Sequence, residues 1–529
     1  MPRLRQTTWV AFTSTFVLGL LSAAENRIVR PVDPSRTAVL TRHVPQNAQV
    51  QYDLVPAPSG TTVRYATLRL KPADGLEAFL AEQRTPSSSN YHRWLTPEQF
   101  GDRFGLSAND ITQLVTWLQS EGLQVHDVAR GRHWITFSGT AERISRAFHT
   151  EIHRYQVNGE VHYANSTNPS IPSAFEDVVS GVDGLDDFGL QPLYRMEKPG
   201  SGSLDPQFNS GTSHYLAPDD FATIYNVTPL YNAGFDGSGQ KIAVVGRSAI
   251  NLTDIQRFRQ RFNLPANDPQ LVLFGPDPGI TSSVIESDLD LEWAGAVARN
   301  ATILYVYSNS VNTSTQYAID QNLAPVITFS YGGCEAYNSI ALRAIAQQAN
   351  AQGITWLASS GDAGAATCDL SSPTPEASKG PSASFPAAIP EITAVGGTEF
   401  DDGNGSNYWA TSNNANGASA LSYVPEKAWN DSVLRNDLSA TGGGPSLLFS
   451  KPSWQTGPGV PNDNARDTPD LSLAASPQHY AYLIYASGSL LAVGGTSASS
   501  PSFAGMLALL NQYLVTNGSA AQPGLGRLP

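Results

Sequence analysis

Five short runs of apolar, largely β-branched residues punctuate the second half of this 529-residue chain: KIAVVG at 241–246, ATILYVY at 301–307, APVITF at 324–329, ITWLAS at 354–359 and ITAVG at 392–396. None alternates polar with apolar, as a half-solvated strand would. Uninterrupted apolar strands spaced by helix-like stretches such as IALRAIAQQANAQG are the pattern of a parallel sheet covered on both faces. This pattern confines the second half to the α/β class, whose ligands gather at the carboxyl ends of the strands. Asp362 stands at one such end, in SSGD directly after ITWLAS.

The first half has another rhythm. Strand-like ATLRLK (66–71) precedes helix-like GLEAFLAEQ, and Ser107 is placed to cap ANDITQLVTWLQSEG, whose Ile111, Leu114, Val115 and Leu118 recur at helical spacing. Strand-like LQVHDVA and HWITFSG, the helix-like AERISRAF and a final strand EIHRYQVNG follow. The repeated β-α-β order predicts an α+β, ferredoxin-like unit, with a small antiparallel sheet and helices on one face. Nothing in this unit gathers obvious chemistry. Between the halves, PGSGSLDPQFNSGTS (199–213) lacks apolar periodicity and reads as a linker.

At the amino terminus, Arg3 and Arg5 precede an apolar stretch from Trp9 to Leu21 and the small residues Ser22, Ala23 and Ala24. This is the pattern of a secretory signal peptide cleaved after Ala24, and the apolar stretch is short for a bilayer span. The expectation is a secreted protein with no membrane association, divided into a signal peptide (1–24), a first unit (25–198), a linker (199–213) and a second unit (214–529). The net charge is −14, and from His214 onward 13 Lys and Arg stand against 25 Asp and Glu. That balance argues against nucleic acid as a partner, because phosphate binding needs clustered basic residues. It suits both work at low pH and ordinary surface solubility. The two cysteines, Cys334 and Cys368, are too few to hold zinc; in an exported chain a lone pair most simply forms one disulfide.

GGTSASSPSFAG (494–505) is the segment richest in chemistry. Gly494 and Gly495 permit a tight turn, and Ala498, Ser499 and Ala504 permit close helix packing. Ser497 at the start of that helix lies near partial positive charge, which favours a developing alkoxide or oxyanion. A serine there also caps helices without doing chemistry. A nucleophile needs a base, yet seven of the nine histidines lie at or before His162. His214 and His479 remain, neither in a His-Gly-Thr-His turn, so a Ser-His-Asp triad has no support. Carboxylates offer another route in ESDLDLEW (286–293). As a helix, this segment puts Glu286 and Asp290 on one face, with Asp288 and Glu292 on the opposite, solvated face. Two carboxyls held together resist full ionisation, so one keeps its proton while the other can accept one.

Taken jointly, these segments resemble the sedolisin family of serine-carboxyl peptidases, in its kumamolisin-like proenzymes. The resemblance rests on GGTSAS, ESDLD, SSGD, SYGGCE, FPAAIPEITAVGGT, GGGPSLLFSKPSWQ and RDTPDLSLAA in the second half. In the first half it rests on SSSNYHRWLTPEQFGDRFG, FSGTAERISRAFHTEIHRY and HYANSTNPSIP, so that it runs from about residue 50 to the end. It implies a subtilisin-like peptidase domain (214–529) behind an activation prodomain (25–198) that shields the cleft, inhibits the enzyme from within and is cut away in the linker. It implies Ser497 as nucleophile, Glu286 as general base, Asp290 as the residue orienting it, and Asp362 in the oxyanion position. There only a protonated carboxyl has a hydrogen to donate. Ser330, Tyr331, Gly332 and Gly333 become the cleft wall, pairing with an extended peptide, and Cys334 and Cys368 a disulfide beside it. The implied activity is a secreted, acid-acting endopeptidase for protein and peptide substrates. The family also implies a Ca2+ held by a loop downstream of Ser497; the sequence ends 32 residues beyond that serine without such a loop, and reads as C-terminally truncated. A catalytically silent peptide binder is the alternative from another class. A two-carboxylate glycosidase would leave the serine turn and the first unit unexplained.

Overall fold

The computed structural model describes residues 24–197, 209–210, 213–370, 376–403 and 407–518. All but the last residue of the expected signal peptide, and most of the expected linker, lie outside the described residues.

The five apolar runs form the middle of an eight-stranded sheet. Its order is Gln270–Leu273, Thr302–Tyr307, Lys241–Gly246, Val326–Phe329, Thr355–Ser359, Thr393–Phe400 and Glu426–Ala428, with Leu471–Ala474 also paired to Thr393–Phe400. All pairings are parallel except that of Glu426–Ala428. Alternate side chains face opposite layers, as the two-residue period of a strand requires. Ala243, Val245, Ile327, Phe329, Trp356 and Ala358 join a core with residues of the helices Val311–Asp320 and Arg343–Ala351. Ile242, Val244, Val326, Leu357 and Val395 join Leu291, Ala294, Ala504, Leu507 and Ala508, from the helices Val284–Val297 and Thr496–Thr516. These last two helices nearly touch at Gly505, where a Cβ would stand 2.6 Å from Val297 Cβ. The small residues read from the sequence are what allow that approach.

The first unit is built on a four-stranded antiparallel sheet in the order Gln124–Val128, Trp134–Thr140, Thr62–Leu70, Val179–Asp183. Two of its helices start on these side-chain caps: Ser107 Oγ accepts from Asp110 N at 3.0 Å, and Thr96 and Gln99 form a reciprocal capping box. The strand expected in EIHRYQVNG forms, as Ile152–Val157, but in a separate three-stranded sheet with Asp53–Pro56 and Glu160–Asn165. The edge of the main sheet is taken instead by Val179–Asp183, a short strand whose central Gly181 weakens its signal. The first unit sits on the Val311–Asp320 and Arg343–Ala351 helices of the second. The Asp320 carboxylate accepts from Arg130 N at 2.8 Å and Gly131 N at 2.9 Å, and Ala351 O accepts from Leu95 N and the Gln83 amide.

Candidate active site

The serine helix begins immediately after the strand Ser489–Gly494, through Gly495 at φ 95°. That left-handed conformation suits glycine, and space demands it as well. A Cβ there would lie 2.5 Å from Asp362 Oδ2 and 2.6 Å from Leu193 O. Ser497, fully buried, donates from Oγ to Glu286 Oε2 at 2.9 Å, with Ser330 O 3.3 Å away. Glu286 and Asp290 share the inward face of Val284–Val297, as their four-residue spacing predicts. Asp290 Oδ1 accepts from Ser330 Oγ at 2.6 Å. Glu286 Oε1 and Asp290 Oδ2 have no hydrogen-bond donor among the described residues. Burial, and then the Asp290 charge, push the Glu286 carboxyl well above its ordinary range, and burial does the same to Asp290. Two buried carboxyls whose charges act on one another resist ionising together.

Asp288 and Glu292 correct the sequence reading. Both are buried, at 0% and 1% exposure, not solvated. Their helix is covered on this side too, by the strand Tyr482–Ala486 and the helix Leu252–Arg261. Glu292 Oε2 accepts from Tyr485 N at 2.9 Å. Burial, helped by Asp254, lifts the Asp288 carboxyl to about 8.

Asp362 follows Thr355–Ser359, as expected. Its Oδ1 accepts from both Thr496 N and Thr496 Oγ1 at 2.8 Å, while Oδ2 has no hydrogen bond among the described residues. Burial raises its pKa to about 6, against the lowering influence of Arg195, the Thr496 donors and Arg435.

A segment of the chain itself runs through this site. Gln191–Pro192 pairs antiparallel with Tyr331–Gly332, and Arg195–Met196 with Val493–Gly494. Between them Leu193 N donates to Ser330 O, and Leu193 O accepts from Ser497 N, each at 3.0 Å. A Cβ on Gly332 would meet Leu193 Cδ1 at 2.7 Å, and one on Gly333 would meet Leu190 at 3.1 Å. The glycines therefore leave room for the two leucines. Of the four residues expected in the wall, Ser330, Gly332 and Gly333 face this segment, whereas the Tyr331 ring is fully buried in the core. Leu193, Arg195 and Thr496 escaped the sequence reading. LQPLYRM carries no motif, and an extended peptide held by its backbone leaves little trace in sequence. Cys334 and Cys368 are bonded, S–S 1.97 Å, beside the wall strand.

Among the described residues, one group of His and carboxylates comes close enough for a metal ion: Glu399, Asp431 and His479, with ligand atoms within 4.8 Å. It does not fit Ca2+, which takes about six to eight oxygens. The Lys427 ammonium lies 3.3 Å from Glu399, and Asp431 already accepts from Trp429 Nε1 and Ser476 Oγ at 2.7 Å each. No described helix is long and apolar enough to cross a membrane.

Residues 52–188 match the family described as Pro-kumamolisin, activation domain, and residues 280–522 match the subtilase family. Sedolisin from Pseudomonas sp. (strain 101) is 32% identical over 464 residues, covering 84% of this chain and 75% of its own. Xanthomonalisin from Xanthomonas sp. (strain T-22) is 32% identical over 492 residues, 83% of this chain and 56% of its own. Kumamolisin from Bacillus sp. (strain MN-32) is 27% identical over 524 residues, 94% and 89%. A solved structure of Pseudomonas sedolisin, a serine-carboxyl proteinase complexed with two molecules of pseudo-iodotyrostatin, aligns with 30% identity and a TM-score of 0.49, over 60% of this chain and 84% of that one.

Proposed function

Given that the chain belongs to the sedolisin family, we propose that it is a secreted serine-carboxyl endopeptidase that acts in acid and is made as a proenzyme. The observation that carries this reading is the Ser497 hydroxyl on the Glu286 carboxylate, with a peptide carbonyl resting on Ser497 N. As Ser497 Oγ attacks the carbonyl carbon, Glu286 Oε2 takes its proton. Asp290, anchored by Ser330 Oγ, holds Glu286 in place and shares the proton between their partnerless oxygens, the part a third group plays in a serine triad. Negative charge gathers on the former carbonyl oxygen, between Ser497 N–H and the Asp362 carboxyl, which must be protonated to donate. Glu286 returns its proton to the leaving amine, the C–N bond breaks, and an ester to Ser497 remains. Water, deprotonated by Glu286, hydrolyses that ester and restores the serine.

The pH dependence follows from the two sets of acids. Activity falls above about 6, where Asp362 loses its proton. It falls again in stronger acid, where the Glu286–Asp290 pair holds two protons and no base is left. The result is a bell-shaped acidic profile.

Residues 25–198 serve as the activation prodomain and 214–529 as the peptidase domain on this reading. The first self-cleavage falls at Leu193–Tyr194, whose carbonyl occupies the site, upstream of the stretch 199–213 where the sequence put processing. Secretion is supported by the amino-terminal pattern. The test is intact-mass analysis of the secreted chain held near pH 4 and pH 7, on either side of the Asp362 value, with Ser497→Ala alongside. A product beginning at Tyr194, formed only in acid and only with Ser497, is expected. A folded chain that never processes would favour a silent peptide binder.

A further inference from the structure

The segment lying in the cleft brings a cation to the point where the site is most sensitive to charge. Arg195 Nη2 donates to Asp362 O at 3.2 Å and Leu438 O at 3.1 Å, and its Nε lies 3.8 Å from Asp362 Oδ2. Among the described residues that Oδ2 has no hydrogen bond, and neither does the buried donor Arg195 Nε. The carbonyls converge because Ala440 N donates to Asp362 O and Gly442 N to Gly361 O, fastening the 438–442 stretch onto the Asp362 turn. Two carbonyls and a carboxylate thus make a cation pocket on the leaving-group side of Ser497, two residues past the Leu193–Tyr194 bond. The proenzyme fills it with its own arginine.

We propose that Arg195 is an autoinhibitory latch: it pairs with ionised Asp362 and withholds the proton the oxyanion needs, so the proenzyme cuts itself only at lower pH than the freed enzyme cuts a neutral peptide. This inference rests on the catalytic reading above. A guanidinium attracts the carboxylate and not the neutral acid, so its presence favours the inactive ionisation state. The other groups facing Asp362 are Arg435, the Thr496 N–H and hydroxyl, and Glu286 across the site. All of these stay in the peptidase domain. Arg195 alone lies on the segment held in the cleft: once the Leu193–Tyr194 bond breaks, it sits on the new amino-terminal tail and leaves the pocket when that tail withdraws. The same pocket receives an Arg or Lys at that position of a foreign peptide, and such substrates share the proenzyme's demand for acid.

The experiment follows self-processing of the full-length chain by intact mass across pH, for wild type, Arg195→Gln, Arg195→Lys and Ser497→Ala. Arg195→Gln is expected to move the upper pH midpoint of processing upward by about one unit, the effect of removing an opposite charge at this distance. Arg195→Lys keeps the charge and stays near wild type. An Arg195→Gln midpoint within about 0.2 units of wild type, with Ser497→Ala inert, overturns the latch and leaves the catalytic reading standing. Processing that persists in Ser497→Ala overturns both. A second measurement needs no variant of the chain. The processed enzyme is given two peptides spanning LQPLYRM, one with the arginine and one with neutral citrulline in its place. The arginine peptide's rate is expected to fall at lower pH than the citrulline peptide's, and coincident profiles overturn the proposal.

Discussion

Ser330→Ala isolates one bond of the site. The change removes the hydroxyl that donates to Asp290 Oδ1 at 2.6 Å and keeps the backbone carbonyl that Leu193 N and Ser497 Oγ use. A buried hydrogen bond to a charged group contributes about 1.5–3 kcal/mol, and about 1.4 kcal/mol is a tenfold change in rate. If the bond is fully expressed in the transition state, kcat falls by roughly tenfold to a hundredfold. The loss has a direction in pH. The Ser330 hydrogen bond lowers the proton affinity of Asp290, so removing it raises that affinity. The Glu286–Asp290 pair then takes its second proton at higher pH, and the acid side of the profile moves up. The upper side, set by Asp362, stays where it is. KM stays close to wild type, because the carbonyl that binds substrate is intact. The assay is kcat and KM of the processed enzyme on a neutral peptide from strong acid to neutrality. A uniform drop at every pH, with both limbs in place, would mean that Ser330 only supports the packing and would refute the argument.

Gly495→Ala puts a methyl carbon 2.5 Å from Asp362 Oδ2 and 2.6 Å from Leu193 O. It is expected to cut self-processing by about a hundredfold or more, comparable to losing an oxyanion donor, while Ser497 keeps its bond to Glu286; processing at wild-type rate would contradict this geometry. Asp288→Asn tests the buried acid behind the site. Asp288 is lifted to about 8 in the fold, whereas an exposed Asp titrates near 3.9. The fold therefore holds a proton that the unfolded chain gives up between those values, and the carboxyl's effect on stability worsens as pH rises from about 4 to about 8. In thermal melts, Asn in its place raises Tm more at pH 7 than at pH 4, and an equal gain at both would speak against the assignment.

The parts of this molecule legible in sequence are those where burial imposes a uniform pattern. KIAVVG, APVITF and ITWLAS announce central strands because both of their faces must be apolar. The shared face of Glu286 and Asp290 is legible because helix geometry fixes it at a four-residue spacing, while their meeting with Ser497 needed the resemblance. Asp288 and Glu292 were misread because charge is normally a sign of solvent, and nothing in ESDLDLEW reveals that the helix is enclosed all round. The path of Leu190–Met196 was hidden for another reason. Backbone pairing is indifferent to side chains, and beyond two leucines and one arginine the cleft asks of this stretch only room for an extended chain. Val179–Asp183 shows the same limit at a sheet edge, where a register forced by neighbours outweighs a weak local preference.

Gly332 and Gly333 and the leucines they accommodate, Leu193 and Leu190, belong to one polypeptide. The lining of the groove and its first guest are therefore written in the same gene and must change together. A bulkier residue at Gly332, chosen to redirect the groove to other peptides, would evict Leu193 and strand the precursor before it ever met a foreign chain. Retargeting this groove is a matter of paired substitutions, with 190–196 redrawn each time the wall is.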